Sequence, residues 1–74
     1  MIYKLFIKNK DNEKFKEFIK LVEEDASRPS GVWELVESMS NTGACESYCN
    51  DRIMWLGWQL EKNGISVAWE QVEE

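Results

Sequence analysis

The chain has 74 residues, a formal net charge of −5 at pH 7 and no histidine. Its composition, with 43% hydrophobic residues, 31% charged residues and one proline, predicts a single folded domain over residues 1–74 rather than a disordered chain. The longest uncharged apolar stretch, residues 53–58, is too short to span a membrane. The N-terminus lacks the features of a signal peptide, so we expect a cytoplasmic protein with no membrane partner.

The charge is unevenly distributed along the sequence. Residues 1–20 carry a net charge of +3, whereas residues 21–74 carry −8. Proteins that bind nucleic acid usually need a basic surface, so this distribution argues against direct nucleic-acid binding. It favours a protein partner with a basic surface.

The first half of the sequence predicts a strand followed by two helices. Apolar residues alternate in MIYKLFIK at residues 1–8, which is typical of a strand. Helical spacing then predicts a first helix over residues 12–25, after turn and N-cap residues at 10–12. The segment ASRPSG at 26–31 breaks this helix, and spacing from Val32 to Met39 predicts a short second helix. A strand at residues 32–36 is the alternative, because VWELV is rich in strand-forming residues.

The second half predicts a loop, a long helix and a strand. SNTGA at 40–44 reads as the loop, with a helix over residues 46–63 that has Glu46 in its first turn and Asn63-Gly64 as its C-cap. Residues 65–72 alternate again, which predicts a strand with Trp69 in the core. The expected fold is therefore a small α+β domain of order β-α-α-α-β. Its two-stranded sheet would join the N- and C-terminal strands, pack on the helices and favour parallel pairing.

The predicted helix at 46–63 carries more apolar surface than one core can use. Its core stripe comprises Cys49, Ile53, Leu56 and Leu60. Tyr48 and Trp55 lie on one flank of this stripe, and Met54 and Trp58 point to the opposite side of the helix. Together with the open edges of a two-stranded sheet, this surplus predicts an interface with another chain and a homodimer.

Few residues in the sequence indicate a catalytic, cofactor-binding or metal-binding site. Cys45 and Cys49 are the only cysteines, and their spacing without histidine predicts two reduced thiols, with Cys49 buried, rather than a metal site. There is no glycine-rich phosphate loop, so we expect neither a cofactor nor an enzyme. Gly57 is unfavourable inside a helix, which predicts a close approach of another segment at that position.

These features favour a small acidic protein-binding module that acts as an inhibitor or regulator by blocking a partner. The predicted contact residues are the apolar Trp55, Trp58, Met54, Tyr48 and Trp33, with Asp51, Glu34 and Glu37 as an acidic rim. A mimic of nucleic acid, of the anti-restriction or anti-defence type, is the alternative, in which the acidic residues would enter a basic groove. A sensor of small molecules with a pocket between subunits is a third hypothesis.

Overall fold

The computed structural model describes residues 2–48 and 50–72, which form three helices and three strands. In chain order these are β1 (Ile2–Ile7), α1 (Glu13–Glu24), α2 (Val32–Thr42), β2 (Ala44–Ser47), α3 (Asn50–Lys62) and β3 (Val67–Val72). The predicted α+β class is confirmed. The predicted order lacked β2, which lies between the second and third helices.

The sheet has three strands in the order β2-β1-β3, and β1 pairs antiparallel with both neighbours. The predictions of a two-stranded sheet and of parallel pairing were therefore wrong. β2 is the reason for both errors, because this extra strand reverses the chain direction once more before α3 and β3.

The buried residues of all three helices form one core with the inner face of the sheet. Leu5 and Ile7 of β1 are buried there, and Tyr3 is half-buried on the same face. The apolar core comprises Leu5, Ile7, Phe15, Phe18, Val22, Val32, Val36, Met39, Cys45, Ile53, Leu56, Leu60 and Ile65. The opposite face, which carries Lys4 and Phe6, has no buried residue among those that the structure describes.

The first helix agrees with its prediction because its signals are local. The Asn12 side chain accepts a hydrogen bond of 2.8 Å from the backbone N–H of Lys14, which satisfies a free donor at the start of α1. Phe15, Phe18 and Val22 are buried along one face. At the other end, the Arg28 guanidinium donates a hydrogen bond of 2.8 Å to the Val22 carbonyl, so a residue beyond the helix caps it.

The second helix is confirmed over residues 32–42, and the alternative strand at 32–36 is wrong. Val32, Val36 and Met39 are buried, which is helical spacing. Gly43 ends the helix with a φ of 81°, and its N–H donates to the Met39 carbonyl at 2.8 Å. The predicted loop at 40–44 is therefore wrong, since its residues belong mainly to the last turn of α2 and to β2.

The third helix begins at Asn50, four residues later than predicted. Glu46 lies in β2, and Asp51 takes the place of the acidic residue in the first helical turn. The predicted core position of Cys49 lies outside the described residues. The C-cap at Gly64 is confirmed: Gly64 has a φ of 79°, and the Ile65 N–H donates to the Leu60 carbonyl at 3.0 Å, as in a Schellman motif.

Candidate protein-binding site

The most exposed large apolar side chains near the β3 edge of the sheet form one surface. Trp58 of α3 is 61% exposed, and Trp69 of β3 is 39% exposed. Met54 and Trp69 both line an open cleft of about 380 Å³. We call Met54, Trp58 and Trp69 the aromatic edge surface.

The position of α3 along β3 explains how these three side chains come together. Gly57 faces Trp69, and a Cβ added at Gly57 would lie 2.5 Å from the Cη2 atom of that ring. Glu61, one turn further along α3, borders a surface hollow with Val67 of β3. The helix therefore runs alongside β3 in the opposite direction, and its flank adjoins the free edge of the sheet.

Three acidic residues lie near the aromatic edge surface. At about 100° per residue, Met54 and Trp58 lie about 40° apart on one flank of α3, and Asp51 and Glu61 lie on the same flank. Both carboxylates are exposed. Glu70, which is also exposed, borders the cleft from β3. Asp51 and Glu61 thus flank the apolar side chains on α3, whereas the Glu70 side chain lies on the opposite face of β3 from Trp69, in register with Lys4.

The free edge of β3 carries backbone groups that point away from the sheet. The Ile7 N–H of β1 donates to the Gly43 carbonyl at 2.9 Å, so Ile7 bonds toward the β2 side. Bonding direction alternates along a strand, so Phe6 and Lys4 bond toward β3, to their register partners Ala68 and Glu70. The N–H and C=O groups of Val67 and Trp69, between those partners, therefore point outward.

The predicted contact residues do not form one surface. Met54 borders the cleft at the β3 edge, and Trp58 and Asp51 lie on the same flank of α3. Trp55 is half-buried and packs against the core, so it has less free surface than predicted. Tyr48 is 69% exposed, but it precedes α3 instead of lying on a helical flank.

The remaining predicted residues lie on α2, where Trp33, Glu34 and Glu37 form a second region. The Arg28 guanidinium carbon lies 5.4 Å from the centre of the Trp33 ring, in a cation–π arrangement. Trp33 and Glu37 border a small cleft of about 150 Å³ together with Ile19 of α1. This cleft has room for little more than a single side chain, so it is a minor site beside the aromatic edge surface.

Trp69 is the main surface residue that the sequence prediction missed. It was expected in the core, because its alternation places it on the inward face of β3. The register confirms that face, since Trp69 pairs with the buried Leu5. β3 is an edge strand, however, so an inward-facing side chain at this position is covered by Gly57 on one side and open to solvent on the other.

Neither a metal site nor a membrane-spanning element is evident in residues 2–48 and 50–72. No group of three or more histidine, cysteine, aspartate or glutamate side chains there could hold a metal ion. None of the three helices is long and apolar enough to cross a membrane.

Cys45 has a free thiol in β2 and is only 2% exposed. It is therefore a strand residue. Burial and, to a smaller extent, the neighbouring Glu46 carboxylate together raise the pKa of this thiol from 9.0 to about 12. Its raised pKa disfavours the thiolate, which is the reactive form of cysteine.

We expect Cys45 to make the chain less stable at alkaline pH. In the unfolded chain the thiol loses its proton near pH 9, whereas in the folded chain it keeps the proton up to about pH 12. The contribution of the thiol to stability is thus complete below pH 9 and is lost as the pH rises toward 12. Between pH 8 and pH 10.5, the urea midpoint of the wild type should decrease more than that of Cys45→Ala. Equal slopes would contradict the assigned pKa.

Comparison of the chain with protein-family models, with curated proteins and with solved structures found no match.

Proposed function

We propose that this chain is a non-enzymatic protein-binding module that acts as an inhibitor or regulator by covering a surface of a partner protein. The observation that carries the proposal is the exposure of Trp58 one helical turn from Met54, which borders a cleft with Trp69 at the open edge of the sheet. Tryptophan is enriched among the few residues that dominate binding energy at protein interfaces. A cytoplasmic location, expected from the sequence, is part of the same proposal.

Burial of Trp58 would supply a substantial part of the energy that holds a partner. A buried tryptophan covers about 150–250 Å² and stabilises a complex by about 25 cal/mol for each Å² of apolar surface removed from water. Trp58 is more than half exposed, so its burial by a partner would contribute about 2–4 kcal/mol. Asp51 and Glu61 on the same flank of α3, together with Glu70 on the outer face of β3, favour a partner with a basic surface, because complementary charges speed association and improve specificity.

The partner can be tested by affinity capture from the native host cell. Wild type should retain a protein that Trp58→Ala loses, with an affinity at least about 30-fold weaker for the variant. Leu21→Ala is the matched control, because Leu21 on α1 is also an exposed apolar residue, at 55% exposure. Loss with both variants, or with neither, would contradict a role for the aromatic edge surface. A partner that DNA displaces would instead support the nucleic-acid mimic.

We also propose that the free chain forms a homodimer at micromolar concentration. Residues 2–48 and 50–72 leave both the β3 edge and the aromatic edge surface uncovered, and an exposed edge strand beside apolar side chains tends to pair. Sedimentation velocity over a range of concentrations should show a monomer–dimer equilibrium that Trp58→Ala shifts toward monomer. A monomer mass at every concentration would exclude self-association and leave a foreign protein as the sole occupant of this surface.

A further inference from the structure

We infer that the partner of the aromatic edge surface adds an extended segment to the β3 edge as a fourth strand. Its apolar side chains would face α3, and a lysine or arginine would lie beside Glu70. This inference rests on the proposed function and names the kind of partner that the same site binds.

The backbone of β3 is arranged to accept such a strand. Val67 and Trp69 direct their N–H and C=O groups away from β1, as the Ile7 to Gly43 hydrogen bond requires. A strand that adds to an open edge gains affinity from these main-chain groups, and it gains specificity from its alternate side chains. β2, the opposite edge, has four residues against six in β3, so it offers a shorter template.

The two faces of β3 determine which side chains the added strand needs. On the helix-facing side, the strand would lie beside Trp69 and the cleft that Met54 borders, and an apolar side chain suits that position. On the outer face it would lie beside Ala68 and Glu70. Alternate side chains of a strand point to opposite faces, so the expected pattern alternates apolar and polar residues.

Charges on the outer face favour a basic residue at one of these polar positions. Lys4 lies in register with Glu46 of β2 on one side and with Glu70 of β3 on the other. This row crosses the whole sheet with two negative charges and one positive charge. A cation beside Glu70 would continue the alternation of sign across a fourth strand, and cross-strand pairs of opposite charge are stabilising.

A second copy of the chain fits this edge less well than a basic strand. When two β3 strands pair antiparallel about a two-fold axis, the residues whose N–H and C=O groups point away from β1 must lie opposite each other. The possible registers place Glu70 opposite Ser66, Ala68, Val72 or the other Glu70. None of these residues is cationic, and the last pairing is repulsive. A basic segment should therefore displace the homodimer.

Synthetic peptides test this inference on the intact chain. The first probe is a capped heptapeptide of alternating lysine and valine, and the second has glutamate in place of lysine. A third keeps the lysines but carries N-methyl groups on its valines, which remove backbone donors. Titration into ¹⁵N-labelled protein should shift the amide signals of Val67 and Trp69 with the first peptide, and the N-methylated peptide should lose binding.

Charge reversal at Glu70 provides the decisive comparison. Wild type should bind the lysine peptide about 3- to 10-fold more tightly than the glutamate peptide, and Glu70→Lys should reverse that preference. Glu24→Lys makes the same charge change on α1, and this variant should still prefer the lysine peptide, as the wild type does. An unchanged amide spectrum away from residue 70 would establish that the Glu70→Lys variant is folded.

Three results would overturn the inference. These are equal affinity for both peptides, shifts that avoid β3, and no binding of the lysine peptide at millimolar concentration. A stable dimer that the lysine peptide cannot dissociate would identify a second copy as the occupant and overturn it as well. If the peptides fail while capture from the host cell still depends on Trp58, strand addition is wrong and the proposed function stands.

Discussion

Leu56→Ala should lower the free energy of unfolding by about 2–5 kcal/mol, whereas Trp58→Ala should change it by no more than about 0.5 kcal/mol. Leu56 is fully buried in the core, and truncating it leaves a cavity. Trp58 lies two residues further along the same helix but is 61% exposed. The smaller side chain should therefore have much the larger effect on stability.

Urea denaturation of both variants at low protein concentration measures this difference, because dilution removes any contribution from self-association. Partner capture should show the reverse order, with Trp58→Ala losing binding and folded Leu56→Ala retaining it. If Trp58→Ala unfolds the isolated chain as readily as Leu56→Ala does, Trp58 belongs to the core. The aromatic edge surface would then lose its main residue.

Elements with strong local signals could be predicted from the sequence. α1 has a capping Asn12 and three buried residues at helical spacing, and its observed bounds lie within one residue of the prediction at each end. The C-cap at Gly64 likewise depends on residues close in sequence. These features need no knowledge of distant contacts, so the pattern of the chain is enough to locate them.

β2 could not be predicted because it is short and depends on a distant partner. Ala44–Ser47 has only one buried residue, Cys45, so it shows no apolar alternation. Its conformation is fixed by pairing with β1, about 40 residues earlier in the sequence. Helical spacing in the sequence also starts before Asn50, with Cys49, Ile53, Leu56 and Leu60. For this reason the predicted helix included residues 46–49.

The candidate site could be predicted only in part, for a related reason. Helical geometry separates Trp58 from the buried Leu56 without further information. The position of a strand within the sheet, however, is not encoded in its alternation, so Trp69 was assigned to the core although β3 lies at an edge. The sequence prediction also placed residues of α2 in one contact surface with those of α3, on the basis of residue type alone. In the fold, α2 carries Trp33, Glu34 and Glu37 as a separate region.

Gly57 is the position where sequence and structure agree most closely on an unusual feature. A glycine inside a helix costs up to about 1 kcal/mol relative to alanine, which predicted a close approach at this residue. The approaching group is the Trp69 ring, which occupies the space that a Cβ would need. Gly57 is buried under that ring, so its absent side chain lets β3 and α3 pack together.

Gly57→Ala should therefore destabilise the chain by about 1–3 kcal/mol, because the new methyl group must displace the Trp69 ring. In a Trp69→Ala background the clash is absent, so the same substitution should stabilise the chain by up to about 1 kcal/mol through its higher helix propensity. Urea midpoints of wild type, both single variants and the double variant complete the cycle, and its coupling energy isolates the contact. If Gly57→Ala stabilises both backgrounds equally, the ring moves aside at no cost, and Trp69 is not fixed at the edge where partner binding needs it.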